Sequence, residues 1–361
     1  MTDFIPAFGA FPSPTDYRDI PLAAVVGEFK SYPDEYFVPI DDLPVEHQRK
    51  LGACVGHGHT KYKQYLDFVD TGFIIPESPR FVYAIAKAKD GYAGEGTYPR
   101  LAAKIVQDYG IATTKTVPND TTLSHEEYVY SRNIDNIPQA AFAEAAENKI
   151  KGYAFITISK DGLKQAIVES NGASILMRIG SEWWTDAKGN STWDKKKIVP
   201  LRKPGSVVSG HQLYLYGYED VGDDTKFYIL NSWSKDWADD GTNWFWWSEW
   251  KNNISEGLTF VDVPNKIIQE AKKLPKQFSY KFTKTIKHGE RSKDVEALQL
   301  ALKADGCYTY VVTGYYGNVT REAVVKFQLK HKVASVAEIQ SLAGLQVGPK
   351  TIAKLNQLFN K

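Results

Sequence analysis

LGACVGHGHTKY, Leu51 to Tyr62, holds one of the chain's two cysteines, with histidines three and five positions behind it. Its reading decides between a metal site, a reactive thiol and an ordinary buried cysteine. Cys54, His57 and His59 supply three nitrogen or sulfur donors, but a tetrahedral zinc site needs a fourth at related spacing, and Cys307 lies 253 residues on. In a helix opening at Cys54, positions 57 and 59 diverge by about 200°. No metal and no cofactor are therefore expected. A free cysteine is commonly just buried, so a reactive thiol must be argued from partners: a base, a group that orients the base, and donors for an oxyanion.

The 361 residues, 43% hydrophobic and 13% aromatic, are enough for two cores. Two cysteines are too few for a disulfide framework and fit a reducing compartment. The opening MTDFIPAFGAFPSPTDYRD has an acid and three prolines where an export signal has a basic cluster and an apolar run. No export signal is expected from it, and no eighteen-residue apolar run marks a membrane span. The net charge of +1 hides an asymmetry: residues 264–361 hold 17 Lys and Arg against 7 Asp and Glu, and residues 1–263 hold 27 against 36.

The composition changes at VPNKIIQEAKKLPKQFS, which reads as a linker over 263–279. Before it, helical patterns come first, over Cys54–Val69, SPRFVYAIAKAKD and YPRLAAKIVQDYG, with Gly110 as a stop. GYAFITI, ASILMRI, HQLYLYGYE and KFYILNSW then read as strands. Helices followed by strands predict an α+β domain in two lobes, one helical and one of antiparallel β. The run NWFWWSEW reads as a core strand with partly exposed tryptophans rather than a sugar platform. After the linker, DVEALQLAL, VTREAVVKFQLKHK and KTIAKLNQLF have apolar residues at helical spacing, predicting a small three-helix bundle.

QRKLGAC, SGHQLYLYGYED and YILNSWSKDW, in this order, resemble the Gln, Cys, His and Asn blocks of the papain-like cysteine peptidases. The resemblance covers roughly residues 10 to 262. It implies Cys54 as nucleophile, His211 as its partner and proton donor, Asn231 as the group that orients the imidazole, and Gln48 with the Cys54 N–H as oxyanion donors. An imidazolium and a helix N-terminus would hold the thiol at about 3 to 4 in place of about 8.5. Trp233 resembles the tryptophan that shields the His and Asn pair, and with Gly210 it is counted beside the cleft. Gly94, Gly96 and Thr97 stand where the family holds extended substrate through main-chain groups. With His211 as base, His57 and His59 are expected on a helix face, one of them packed inward.

There are departures. Val55 follows the nucleophile where an aromatic is usual, and Gly56 and Gly58 fall in the first helical turns at a cost of about 1 kcal/mol each relative to alanine. Ser234 replaces the glycine that normally follows NSW. His211 and Asn231 lie 157 and 177 residues after Cys54, a long spacing that an insertion around residues 181–205 would explain.

FTKTIKHGERSKDVEALQLALKADG, GYYGNVTREAVVKFQLKHK and VGPKTIAKLN resemble the type 1 peptidoglycan-binding module over about residues 280–361. Leu298, Val324 and Phe327 are core whatever the function, so binding must come from the surface. Its excess of positive charge suits an anionic partner such as bacterial wall. No aromatic-interleaved basic motif points to nucleic acid. Departures are Cys307, where an aromatic is common, and an insert, KVASVAEIQSLAGLQVG.

The expectation is a thiol amide hydrolase over residues 1–262, carried to the bacterial wall by residues 280–361: an endolysin-like peptidase of phage type that cuts peptidoglycan peptides. The stretch before Gln48 leaves no room for a large inhibitory propeptide. Two alternatives stay open, a peptidase acting on protein with the C-terminal module as anchor, and a catalytically silent wall-binding protein.

Overall fold

The computed structural model describes residues 8–28, 31–40, 43–71, 74–118, 130–183, 200–262, 279–308, 312 and 314–360. The expected linker, except Ser279, and the middle of the expected insertion, 184–199, lie outside them. The chain divides at Val263 into two compact units, the segments Ile40–Leu43 and Asp67–Ile75 being grouped with the second.

The first unit begins with helix α1 (Ala23–Val26) and strand β1 (Glu35–Phe37), and its central helix is α2 (Cys54–Thr71). The two glycines in the first turns of α2 are required by close approach. A Cβ at Gly56 would stand 2.7 Å from the Pro79 carbonyl, and one at Gly58 2.8 Å from Gln212 Cγ. What looked like a cost in helix propensity lets α2 sit directly on its neighbours. Farther along, the Tyr62 ring stacks between Tyr214 and Phe260, at 5.6 and 4.9 Å. Helices α3 (Pro79–Lys89) and α4 (Pro99–Asp108) both place proline in the first turn, where its missing N–H costs nothing. Ser78 caps α3 through the Phe81 amide. Gly110, beyond α4, has φ +84°, and a Cβ there would collide with the Ala145 carbonyl at 1.8 Å.

Among the described residues, seven strands form one antiparallel sheet in the order β2 (Ile150–Phe155), β7 (Ile254–Asp262), β3 (Ala173–Ile179), β4 (Ser209–Val221), β5 (Asp224–Leu230), β6 (Thr242–Trp246), with β1 paired to β4. Strand β4 is buried on both faces from His211 to Tyr218, which is why it reads as a continuous apolar run rather than an alternating one. His211 lies opposite Met177 of β3. The NWFWWSEW run is β6 followed by a short helix: Phe245 is buried, Trp244 and Trp246 are half-buried on the other face. This is the helical lobe and antiparallel lobe expected of the sequence.

The second unit contains the three expected helices, Lys293–Ala304, Asn318–Lys330 and Pro349–Phe359, around a core that includes Leu298, Val324 and Phe327. The insert adds a short fourth helix, Val336–Leu342, and β9 (Gln346–Val347), which pairs with β8 (Ile286–Lys287). Cys307 closes the edge of this core at 9% exposure.

Candidate active site

Cys54 is the first residue of α2, so its side chain sits where the helix amides carry partial positive charge. The start of β4 brings His211 to that end. The neighbouring Gln212 amide lies against the Cys54 sulfur, together with the amides of Gly9, Val55 and Cys54 itself. His211 Nε2 is 2.8 Å from Asn231 Oδ1, on the residue after β5. The same Oδ1 accepts the Ser232 amide at 2.8 Å, which fixes the Asn231 carbonyl toward the ring. His211 Nδ1, the other ring nitrogen, is buried and has no hydrogen-bond partner among the described residues.

The Trp233 ring covers His211 at 4.7 Å and 33°. It is fully buried and shields the imidazole, with the Phe8 ring of the N-terminal stretch edge-on to it at 6.0 Å. Behind it stand Trp183, Trp237 and Trp250, each within 6.3 Å of another ring of the group. The role of Trp183 is not legible in the sequence, because it falls at the start of the expected insertion and belongs to no block.

Gln48 is also fully buried. Its Oε1 accepts the Ser232 hydroxyl at 2.6 Å and its Nε2 donates to the Leu51 carbonyl at 2.9 Å. Ser232 therefore positions two expected site residues at once, Gln48 through its hydroxyl and Asn231 through its amide. Ser232 is the middle residue of NSW, between the expected Asn231 and Trp233. Ser234, two positions on, adopts φ +69°, the region a glycine occupies without strain.

The expected substrate groove holds part of the chain itself. Thr97 donates its amide to the Gly9 carbonyl at 2.8 Å and accepts the Phe11 amide at 3.1 Å, and Ala10 donates to the Gly210 carbonyl at 3.2 Å. Thr97, rather than Gly94 or Gly96, supplies the main-chain groups. Gly96 permits contact: its Cβ would meet Gly9 Cα at 2.5 Å. Gly94 packs on the Tyr92 ring. Phe8 meets His211 and Trp233 edge-on, at 6.4 and 6.0 Å, and Ser13 is fastened to Glu256 through its amide and hydroxyl, at 2.7 and 2.8 Å. Residues 8–13 thus form a strap over the nucleophile, and Cys54 has no exposed surface.

This enclosure changes the electrostatics. Burial pushes the Cys54 thiol up to about 11, against the pull of the four surrounding amides. Burial also pulls the His211 imidazole down to about 4, opposing the Asn231 hydrogen bond. Under the strap burial therefore works against the thiolate–imidazolium pair. Water and an accessible cleft are what would permit it.

His57 and His59 are both buried. His57 Nδ1 pairs with Glu46 Oε2 at 2.8 Å, and Lys61 Nζ reaches Glu46 Oε1 at 3.2 Å. His59 Nδ1 meets Ser174 Oγ at 3.0 Å, and burial lowers its ring to about 3. Among the described residues no group of three His, Cys, Asp or Glu could hold a metal ion, and no helix is long and apolar enough to cross a membrane.

Residues 291–355 match the family model described as "Putative peptidoglycan binding domain". No curated protein matches the chain. Among solved structures it is similar to xylellain, a cysteine protease from Xylella fastidiosa, with a TM-score of 0.60 at 18% identity, covering 72% of this chain and 97% of that one. Procathepsin L 3 of Tenebrio molitor larval midgut matches with a TM-score of 0.53 at 14% identity, covering 68% and 74%. Procathepsin B of Trypanosoma congolense matches with a TM-score of 0.52 at 14% identity, covering 71% and 87%. The chain therefore has the papain-like fold followed by a peptidoglycan-binding domain.

Proposed function

We propose that the chain is a cysteine peptidase directed to the bacterial cell wall, with a catalytic module over residues 1–262, a linker over 263–279 and a wall-binding module over 280–361. It hydrolyses amide bonds of peptidoglycan peptides in the manner of an endolysin. The observation that carries this reading is the His211–Asn231 bond at 2.8 Å, formed one residue from an amide that lies against the Cys54 sulfur. In this reading Cys54 is the nucleophile, His211 the base and Asn231 the group that orients the base.

The strap must first leave the cleft. Among the groups that face the sulfur from the strap is the Gly9 amide. With the cleft open, the Cys54 proton moves to His211 Nδ1, giving thiolate and imidazolium. The thiolate attacks the substrate carbonyl carbon, and the oxyanion is held by the Gln48 side-chain amide and the Cys54 N–H. His211 gives its proton to the departing nitrogen as the C–N bond breaks, leaving a thioester. Water then attacks the thioester carbon while His211 takes its proton. The carboxylic acid leaves and the thiol is restored.

Purified wall sacculi incubated with the chain should gain free amines, and mass spectrometry should show the new peptide ends. Cys54→Ala should release none. A second reading, hydrolysis of protein, draws on the strap, which lies in the groove through main-chain contacts that any extended peptide could make. Cleavage of unfolded protein with untouched sacculi would replace the first reading by this one, and inertness toward both would leave a wall-binding protein.

A further inference from the structure

The C-terminal module has an open pocket of about 260 Å³, lined by the helix Val336–Leu342, the C-terminal part of the helix Asn318–Lys330, and the first turn of the helix Pro349–Phe359. Its apolar wall includes Val333, Ile339 and Leu342. Gln328 lines it at 6% exposure, with Nε2 donating to Thr351 Oγ1 at 2.9 Å. The Gln328 Oε1 atom is buried and has no hydrogen-bond partner among the described residues. An enclosed amide oxygen without a donor is a standing cost that a bound N–H removes.

A second polar feature opens into the same space. The helix Pro349–Phe359 starts from Gly348 without a side-chain cap, and Gly348, Pro349, Lys350 and Thr351 all line the cavity. Its first-turn amides are at the positive end of eleven aligned peptide dipoles, the usual setting for a carboxylate. Lys350 stands with them, its Nζ held by both oxygens of Glu338 at 2.7 and 2.9 Å. Both side chains are exposed, so the pair can open at little cost.

These groups ask for a ligand with an N–H on one side, a carboxylate on the other and a small apolar part between them. None of the described lining residues is aromatic, so a sugar ring finds no face to stack on. We propose that this cavity binds the carboxylate end of a short peptide with small apolar side chains: the N–H meets Gln328 Oε1, the carboxylate meets the Lys350 and Thr351 amides, and methyl groups lie on Ile339 and Leu342. This rests on the reading of the module as wall-binding, and it assigns recognition to the peptide part of the wall rather than the glycan. The walls of the cavity come largely from the insert, so the site belongs to this chain's own elaboration of the bundle.

The test is calorimetric titration of the full Cys54→Ala chain with N-acetyl-alanyl-alanine in both enantiomeric forms, with its C-terminal amide, and with an N-acetylglucosamine tetramer. Saturable binding of at least one enantiomer is expected. It should weaken at least tenfold with the C-terminal amide, in Gln328→Met, and in the exposed variant Lys350→Glu, whose folding should be undisturbed. Absence of binding, equal binding by both variants, or binding of the tetramer alone would overturn the proposal. Sedimentation with sacculi separates the two levels of inference. Sacculi bound without the peptide would remove this site and leave the wall-binding reading, and sacculi unbound would remove both.

Discussion

Ala10 donates its main-chain amide to the Gly210 carbonyl at 3.2 Å, one residue before the imidazole of His211. The strap it belongs to passes so close to the α2 entrance that a Cβ at Gly9 would lie 2.4 Å from the Gly52 carbonyl and 2.5 Å from Gly96 Cα. Both neighbours are backbone and cannot turn aside. Gly9→Val should therefore expel the strap and leave the rest of the fold intact. Peptide-level mass spectrometry of iodoacetamide labelling at pH 7 should show Cys54 reacting at least tenfold faster than in the unaltered chain, with labelling of Cys307 as the internal control. An unchanged Cys54 rate would mean that the strap is not what covers the thiol.

The strap should also respond to acid. His211 is held at about 4 by burial, against an ordinary 6.5, and the groups that face it are the Asn231 carbonyl, which raises it, and the His57 charge, which lowers it further. In Cys54→Ala the ring can take a proton only from solvent, and an opened site that returns it to water binds one more readily than the closed site. In that variant the stability of the closed state is fully present above about 6.5 and is lost as pH falls toward 4, by up to about 300-fold in the opening equilibrium. Hydrogen exchange of the Ala10 and Phe11 amides in Cys54→Ala, corrected for the intrinsic rate, should accelerate across that window. Corrected exchange that stays constant with pH would show that opening is not linked to this imidazole.

The parts of the site that were legible are those carried by side chains with a chemical reason to be there: Cys54, His211, Asn231 and Gln48 stand in blocks whose order can be read. Gly56 and Gly58 were legible only as a cost, because their neighbours at Pro79 and Gln212 are distant in sequence. The strap was not legible at all. Gly9, Ala10 and Phe11 act through amides and carbonyls that every residue has, so no side-chain pattern marks them. Residues 8–13 lie over the sulfur without any such pattern. The Glu46, His57 and Lys61 network was missed for a related reason, since any charged residue near the start of a helix reads first as solvated surface.

Oxyanion stabilisation has two separable parts. Gln48→Ala should lower kcat by about 100- to 1,000-fold with little change in KM, the usual loss for one donor that acts in the transition state. Ser232→Ala removes the hydroxyl that holds Gln48 Oε1 at 2.6 Å but keeps the donor, so a smaller loss of about tenfold is expected, from the looser placement of that side chain. Rates of amine release from sacculi by the two variants, with thermal unfolding as a check on the fold, test this. Equal losses would mean that Gln48 has no role beyond the one it shares with Ser232.

The Glu46 network sets the acid limit of the first unit. Burial alone would raise this carboxyl, but the Lys61 ammonium and the His57 ring together hold it at about 2, against an ordinary 4.5. Its contribution is fully present above about 4.5 and is lost as pH falls toward 2, amounting to about 3 kcal/mol. The Lys61 side points the other way: burial keeps its ammonium below the usual range despite Glu46, so the pair as a whole is worth less than the carboxyl suggests. Glu46→Gln leaves a buried ammonium without its counter-charge and should cost about 3 kcal/mol at pH 7. At pH 2 the two chains should be nearly equal in stability. All nine tryptophans lie before residue 264, so tryptophan fluorescence in urea follows this unit alone, and a gap between the two chains that does not narrow on acidification would rule out Glu46 as the titrating group.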